Sequence, residues 1–386
     1  LEPIKVVKRD GIEENFNINK IFNAVKSSAS NCVSDYDAHN IATDITNRVS
    51  SKIVHDTSVE AIQDVVEKTL MSSKYKDIAK HYIAYRAERN RIREEKSNLI
   101  KEVEGLFNTD NEDVILENSN KDSNRIPTQR DLLAGVISKD YALNHLLPHR
   151  VTEAHKDGLL HYHDLDYSPM FGSYNCQLMG YEKMLKNGFK MGNVDIEQPR
   201  SIRTACTVLT QIMAQVASES YGGLTANNID IVMAPYVTKS YNRYLEEAKK
   251  FNITDAEGYS KAKTEKEVYD AFQTVEYQIN TLSTTNGQSP FSTLSFGLGT
   301  SWEERIIQQV ILEVRIEGIG KRKKTPTFPK LCFVLKDGLN LKQGDPNYDI
   351  KQLAMKCQRK RIYPDLLNYD QVVKVTGSFK APMGRR

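Results

Sequence analysis

No window of this chain approaches the run of about 18 apolar residues that a membrane-spanning helix needs, so no membrane partner is expected. The first residues, LEPIKVVKRDG, lack the apolar centre of a secretory signal, and a cytoplasmic protein is expected. Cysteine is scarce: Cys32, Cys176, Cys206, Cys332 and Cys357 are widely spaced and odd in number, with no CxxC pair. That pattern argues against a disulfide scaffold and a zinc ribbon, and suits reduced thiols. An excess of one charge is also missing. With 53 Lys and Arg against 50 Asp and Glu, the net charge is only +3, so no nucleic-acid partner is implied. Nor is there a Walker loop or a GxGxxG turn to cradle phosphates. What remains is a chain of 386 residues, 27% charged and 39% hydrophobic, long enough for two domains.

The densest chemistry lies in residues 159–179, LLHYHDLDYSPMFGSYNCQLM. Leu159, Leu160, Tyr162 and Leu165 suit a short buried strand, with His161, His163, Asp164 and Asp166 interleaved. Pro169 and Gly172 break any helix, which leaves Cys176 in a loop or at the start of a new element. Ionisable groups in an apolar stretch are costly to bury unless paired or used. Three readings fit these residues: a metal site at His161 and His163, structural histidines tied to Asp164 and Asp166, or a pocket in which Cys176 is a redox thiol. No second ligand pair lies nearby to complete a metal site.

Residues 1–95 read as one unit: a hairpin around Arg9-Asp10-Gly11, a helix capped by Asn19, and helices over about 35–49, 59–71 and 75–93. Lys8 and Arg9 beside a glycine turn, with Lys20 on the next helix, can meet phosphates, although basic hairpin edges also serve to block aggregation. Residues 96–126 read as a polar linker, with a short helix at 98–105. From 127 to 386 strands alternate with long helices, which means parallel βα units. Among them are helices at 202–220, 229–251, 264–282, 302–317 and 349–360, and strands at 292–296 and 331–335. Cys206 and Cys332 fit core packing. The turn Thr284-Thr285-Asn286-Gly287-Gln288-Ser289 is either a tight corner or a loop for ribose or phosphate.

Three motifs carry a family resemblance. HYHDLDYSP at 161–169 followed by YNC at 174–176 resembles the anaerobic (class III) ribonucleoside-triphosphate reductases, which are glycyl-radical enzymes. TTNGQSPFSTLSFG at 284–297 resembles one of their barrel strands, and VVKRDGIEENFNINKI with HYIAYRAER resembles the ATP cone of ribonucleotide reductases. The resemblance implies an α/β fold: an ATP cone, built as a helical bundle with a small sheet, then the first half of a ten-stranded α/β barrel. It places Lys8, Arg9, Glu14, Asn17, Lys20 and Thr57 at an allosteric ATP or dATP. Cys176 on the first barrel strand and His163 become catalytic, while His161, Asn175, Gln288 and Ser289 contact substrate. Deoxynucleotide effectors and a dimer contact are implied beside the long helices after residue 202.

The same resemblance implies formate as reductant, an iron–sulfur, S-adenosylmethionine-dependent activase as partner, and ribonucleoside triphosphates as substrates. Its zinc cysteines and glycyl-radical loop are expected outside these residues. In the family a Pro-Met-Gly-Cys finger carries the radical thiol, whereas here Pro382-Met383-Gly384 is followed by Arg385. The chain alone is therefore expected to be inactive. It is read as an N-terminal portion of the reductase, as a homodimer or paired with a separate C-terminal half. A purely regulatory ATP-binding subunit and a truncated gene product are the alternatives.

Overall fold

The computed structural model describes residues 4–8, 12–53, 55–107, 124–172, 174–220 and 222–382. Arg9, residues 108–123 of the linker and residues 383–386 lie outside the described residues. The chain divides into two compact units, Leu1–Glu102 and Val103–Arg386.

In the first unit β1 (Lys5–Val7) is the central strand. It pairs antiparallel with β2 (Glu13–Asn15) and parallel with β3 (Thr57–Ser58), so that Val6 faces both Glu14 and Thr57. Helices α1 (Ile18–Ala29), α2 (Asp35–Ser50) and α3 (Val59–Ser72) follow the chain. Ile21 and Val25 of α1 meet Ile45 and Val49 of α2 and Val66 and Leu70 of α3 in one apolar core. The expected cap at Asn19 is corrected: Asn17 is the extended N-cap residue, and its side chain accepts the Asn19 N–H at 3.0 Å. The expected break near residue 93 is also absent, because α4 runs unbroken over Lys76–Phe107. Its Arg, Glu and Lys residues favour helix and pair along the surface, as Arg91 does with Glu88 at 2.8 Å.

The second unit opens with α5 (Ile126–Tyr141), whose last turn passes into a π-helical turn, and α6 (His149–Lys156). Five parallel strands then form one sheet: β4 (Gln177–Met179), β7 (Leu224–Ala226), β8 (Ser292–Phe296), β9 (Lys330–Leu335) and β10 (Asp365–Asn368). Each strand lies beside its predecessor in that sheet. Between β4 and β7 come α7 (Tyr181–Asn187), the hairpin β5 (Phe189–Met191) and β6 (Val194–Ile196), and α8 (Ile202–Glu219). Helices α9 (Ile229–Lys250) and α10 (Ala256–Thr281) lead to β8, α11 (Trp302–Glu317) to β9, and α12 (Tyr348–Arg361) to β10. The last element is α13 (Tyr369–Thr376).

Alternation along the strands gives the sheet two different faces. Leu224, Ala226, Leu294, Phe296, Leu331 and Phe333 enter the main apolar core with α8–α11. Thr225, Thr293, Ser295 and Cys332 hold the alternate positions and are also buried. Cys206, Cys332 and Cys357 are packing cysteines, whose thiols burial pushes up, to about 12 for Cys332 and Cys357.

One corner is fixed by a buried acid. Asp230 Oδ2 on α9 accepts the N–H of Gly297 at 3.1 Å and of Gly299 at 3.0 Å, and the Gln308 amide at 2.7 Å. Burial pushes this carboxyl above the ordinary carboxylate range, against the pull of those donors.

Candidate functional site

The strand expected over residues 159–165 is not formed. Residues 163–170 coil through successive turns, and Leu159 is 81% exposed. Asp164 stands at φ 55°, outside extended space, and its carbonyl accepts the N–H of Tyr167 at 3.1 Å and Ser168 at 2.7 Å. Short polar side chains tolerate this conformation, so the carboxylate that interrupts the apolar pattern also ends it. The turn is tied to α5 by Tyr167 Oη donating to Asp131 at 2.6 Å.

This turn returns the histidines toward the Asn-Cys pair. His161 Nε2 lies 3.4 Å from His163 Nδ1, and His163 Nε2 lies 3.2 Å from Asp164 Oδ2. The same Asp164 oxygen accepts Asn175 Nδ2 at 2.8 Å, and Asn175 Oδ1 accepts the Cys176 thiol at 3.1 Å. On its other side the Cys176 sulfur accepts the Gly223 N–H at 3.2 Å. A polar chain thus runs from His161 through His163, Asp164 and Asn175 to a half-buried thiol. Cys176 itself precedes β4 by one residue rather than lying within it. Gly222 permits the close approach of the two strands, since a Cβ there would sit 1.9 Å from the Asn175 carbonyl oxygen.

Register aligns this thiol with the next strands. Gln177 pairs with Leu224 and Leu224 with Ser292. Gln288 and Ser289 therefore precede β8 at the same end of the sheet as Cys176 precedes β4. Their turn is closed by Gly287 N–H on the Thr284 carbonyl at 3.0 Å, and Gln288 is buried. A Cβ at Gly287 would come within 2.2 Å of Thr128 Oγ1, so the turn needs glycine to seat on α5. Among the described residues no three His, Cys, Asp or Glu side chains gather as a metal site.

A second polar cluster lies in the N-terminal unit. Glu14 on β2 binds both Lys20, at 3.0 Å, and Lys8. These two ammonium groups hold its carboxyl below the ordinary range. Asn17 spends its side-chain oxygen on the α1 cap, and Thr57 lies on β3, across β1 from Glu14. The cluster presents two lysines that an anionic ligand can recruit from one carboxylate.

Two features were not legible in the sequence. A cleft of about 590 Å³ opens between the start of α8 and the middle of α9, lined by Glu197, Arg200, Lys239, Asn242, Arg243 and Glu246. Thr225 and Asn227, at the end of β7, hold the segment at 381–382. Both features join residues far apart in the chain, and neither carries a local spacing signal.

Residues 117–386 match the family "Anaerobic ribonucleoside-triphosphate reductase", and residues 4–91 match the "ATP cone domain". Relatives named anaerobic ribonucleoside-triphosphate reductase include those of Haemophilus influenzae, 55% identical, and Escherichia coli, 54% identical. Each alignment takes in 99% of this chain and 54% of the relative. That of Enterobacteria phage T4 is 51% identical, over 74% of this chain and 47% of the relative. The crystal structure of the Thermotoga maritima anaerobic ribonucleotide reductase in complex with dATP and CTP aligns with a TM-score of 0.49 at 16% identity. That alignment covers 72% of this chain and 50% of the other. The chain spans about half the length of the relatives named above. With an ATP cone ahead of a parallel α/β unit, and with the family's description matching most of its length, this chain belongs to the anaerobic ribonucleoside-triphosphate reductase family.

Proposed function

We propose that this chain is the nucleotide-controlled N-terminal portion of an enzyme reducing ribonucleoside triphosphates to deoxyribonucleoside triphosphates. The observation that carries the reading is Cys176, a half-buried thiol between an N–H donor and an amide acceptor, joined through Asn175 and Asp164 to His163. Removing a ribose 3′ hydrogen needs a hydrogen-atom abstractor held against that carbon, which acid–base groups do not supply. In this reading a thiyl radical does so, and Cys176 delivers an electron and a proton on the 2′ side. His161, Asn175, Gln288 and Ser289 contact the substrate, with His163 as a catalytic partner. The sheet is the first half of a ten-stranded barrel.

Control belongs to the N-terminal unit, where ATP or dATP draws Lys8 and Lys20 from Glu14, beside Arg9, Asn17 and Thr57. Deoxynucleotide effectors fit the cleft of Arg200, Lys239 and Arg243, next to the long helices where a second copy or a C-terminal portion packs. Formate as reductant, the S-adenosylmethionine-dependent activase and a cytoplasmic setting complete the proposal. Zinc and glycyl-radical groups are assigned to polypeptide outside these residues.

Arg385 has no thiol to carry the radical, so the 386-residue chain is expected to be inert. An anaerobic assay with activase, S-adenosylmethionine, formate and a ribonucleoside triphosphate tests this. The chain alone gives no deoxynucleotide. An Arg385→Cys chain joined to the remaining portion of a relative does, and loses it on Cys176→Ser. Turnover that survives Cys176→Ser would overturn the assignment.

A further inference from the structure

Two fully buried polar side chains meet at the corner where β8 ends and α9 begins. Asp230 on α9 and Gln308 on α11 are both 0% exposed. Asp230 Oδ2 takes the N–H groups of Gly297 and Gly299 and the Gln308 amide. The same amide nitrogen donates to the Gly299 carbonyl at 2.8 Å, which uses both of its hydrogens. The other oxygen of each group, Asp230 Oδ1 and Gln308 Oε1, has no hydrogen-bond partner among the described residues. Leaving two acceptors unpaired away from water is costly.

Turning the amide over does not relieve this. It would set the amide oxygen against Asp230 Oδ2 and the Gly299 carbonyl, both acceptors. A hydrogen on Oδ1 relieves it, and a neutral carboxyl supplies one. Oδ2 then accepts from the amide while Oδ1–H donates to Oε1, closing a ring of two hydrogen bonds. We infer that Asp230 keeps its proton in the folded chain and shares it with Gln308, which makes this corner a proton-dependent latch.

The charged groups bordering the corner leave no cation to take the proton's place. Glu303 accepts Thr238, Glu304 caps its helix at the Thr300 and Ser301 N–H groups, and Arg305 is spent on Asn347 and Asp349. On α10 Glu276 is bound to Arg315, and beside Asn340 Asp337 is bound to Lys342. Residues 222–229 and 297–301 carry no ionisable side chain. Burial pushes the Asp230 carboxyl up, in agreement, although the Ile231 N–H beside it pulls the other way.

The latch holds more than its own two residues. It joins the first turn of α9 and the middle of α11 to the bend after β8. From that bend Asn340 Nδ2 continues the tie, donating to the Gly297 carbonyl at 3.0 Å and the Val334 carbonyl at 2.8 Å. Loss of the proton sets a charged oxygen against the amide oxygen and opens the ring, which loosens the bend.

Asp230→Asn tests the shared proton in the full 386-residue chain, because its amide offers one donor and one acceptor where the neutral acid does. Near pH 7 the variant is expected to melt at or above the wild type. Its folding constant gains on the wild type by about tenfold per pH unit between pH 5 and 7, since only folded wild type must keep the proton. An ionised Asp230, whether it holds a water or a cation against Gln308 Oε1, reverses the sign. The variant then melts below the wild type throughout that range, and the inference is overturned.

Hydrogen exchange tests the release. For a peptide covering 297–301, the wild-type rate is divided by the Asp230→Asn rate at each pH, which cancels the intrinsic effect of hydroxide. The ratio is expected to rise about fivefold or more between pH 6 and 9.5, while a peptide from α8 keeps a constant ratio. A flat ratio at 297–301 overturns the latch and leaves the shared proton standing.

Discussion

Asp164 and Asn175, eleven residues apart, are bonded carboxylate to amide at 2.8 Å, and this bond fixes which face the Asn175 oxygen shows to the Cys176 thiol. Replacing Asn175 by Asp sets a second carboxylate against the first and removes the donor between them. Like charges at this distance disfavour a third negative charge on sulfur. Alkylation of Cys176 at pH 8 is expected to slow by about tenfold in Asn175→Asp, scored by peptide mapping so that Cys32, also partly exposed, is counted separately. An unchanged rate would show that Asn175 does not govern the thiol.

Asp230 predicts a pH signature in stability. Burial holds its folded-state carboxyl above the unfolded value, so the folded state binds the proton more tightly. Its contribution is most favourable below the unfolded carboxylate range, near about pH 4, and declines as pH rises toward the folded value. Asp230→Asn keeps an acceptor for Gly297, Gly299 and Gln308 and is expected to lose less stability between pH 4 and 8. Asp230→Ala strands those donors and is expected to cost about 2–5 kcal/mol. Urea denaturation across that range measures both, and parallel curves for wild type and Asp230→Asn would refute the argument.

The two-lysine cluster predicts the nucleotide response. Lys20→Ala is expected to weaken ATP binding to the full chain by about 1–3 kcal/mol, the worth of a charge-assisted contact. Lys8→Ala should weaken it similarly. Titration calorimetry at millimolar ATP is the check, and equal affinities in wild type and both variants would remove the lysines from the site.

Gly222 predicts a steric effect at a distance from the thiol itself. A methyl group there meets the Asn175 carbonyl oxygen at 1.9 Å, and backbone atoms have no flexible side chain to yield. Gly222→Ala is therefore expected to destabilise the chain by about 2–4 kcal/mol and to expose Cys176 to alkylation. Thermal melting and thiol labelling report the two effects. Native behaviour in both would mean that β4 and β7 can separate without loss.

Legibility in the sequence followed the strength of local patterning. The helix at 302–317 and the strand at 292–296 match the structure at both ends, because Ser301 and Glu304 form a full capping box and the strand is a continuous buried run. Residues 159–165 failed for a physical reason: their alternation suited a strand, yet the Asp164 turn was the cheaper way to satisfy clustered acids and histidines. The strand at 224–226 leaves no mark in the sequence, since three fully buried residues carry no period. The grouping of His163, Asn175 and Cys176 in one motif was visible from the chain. The contacts of Thr225 and Asn227 were not, because their partners lie about 155 residues away, at separations of 157 and 154.

The strand order β4-β7-β8-β9-β10 is also the order in which a ribosome releases them. Every new strand meets, on emergence, the edge left by the one before, and the helix just made is in place to cover the pair. Growth of the sheet thus never waits for a segment still to be translated. The Thr225–Pro382 bond breaks that rule, since β7 must wait through more than 150 residues of synthesis for its partner. Pairing of the strands is local and early; the bond from Thr225 to Pro382 is a late event, made on a sheet already built.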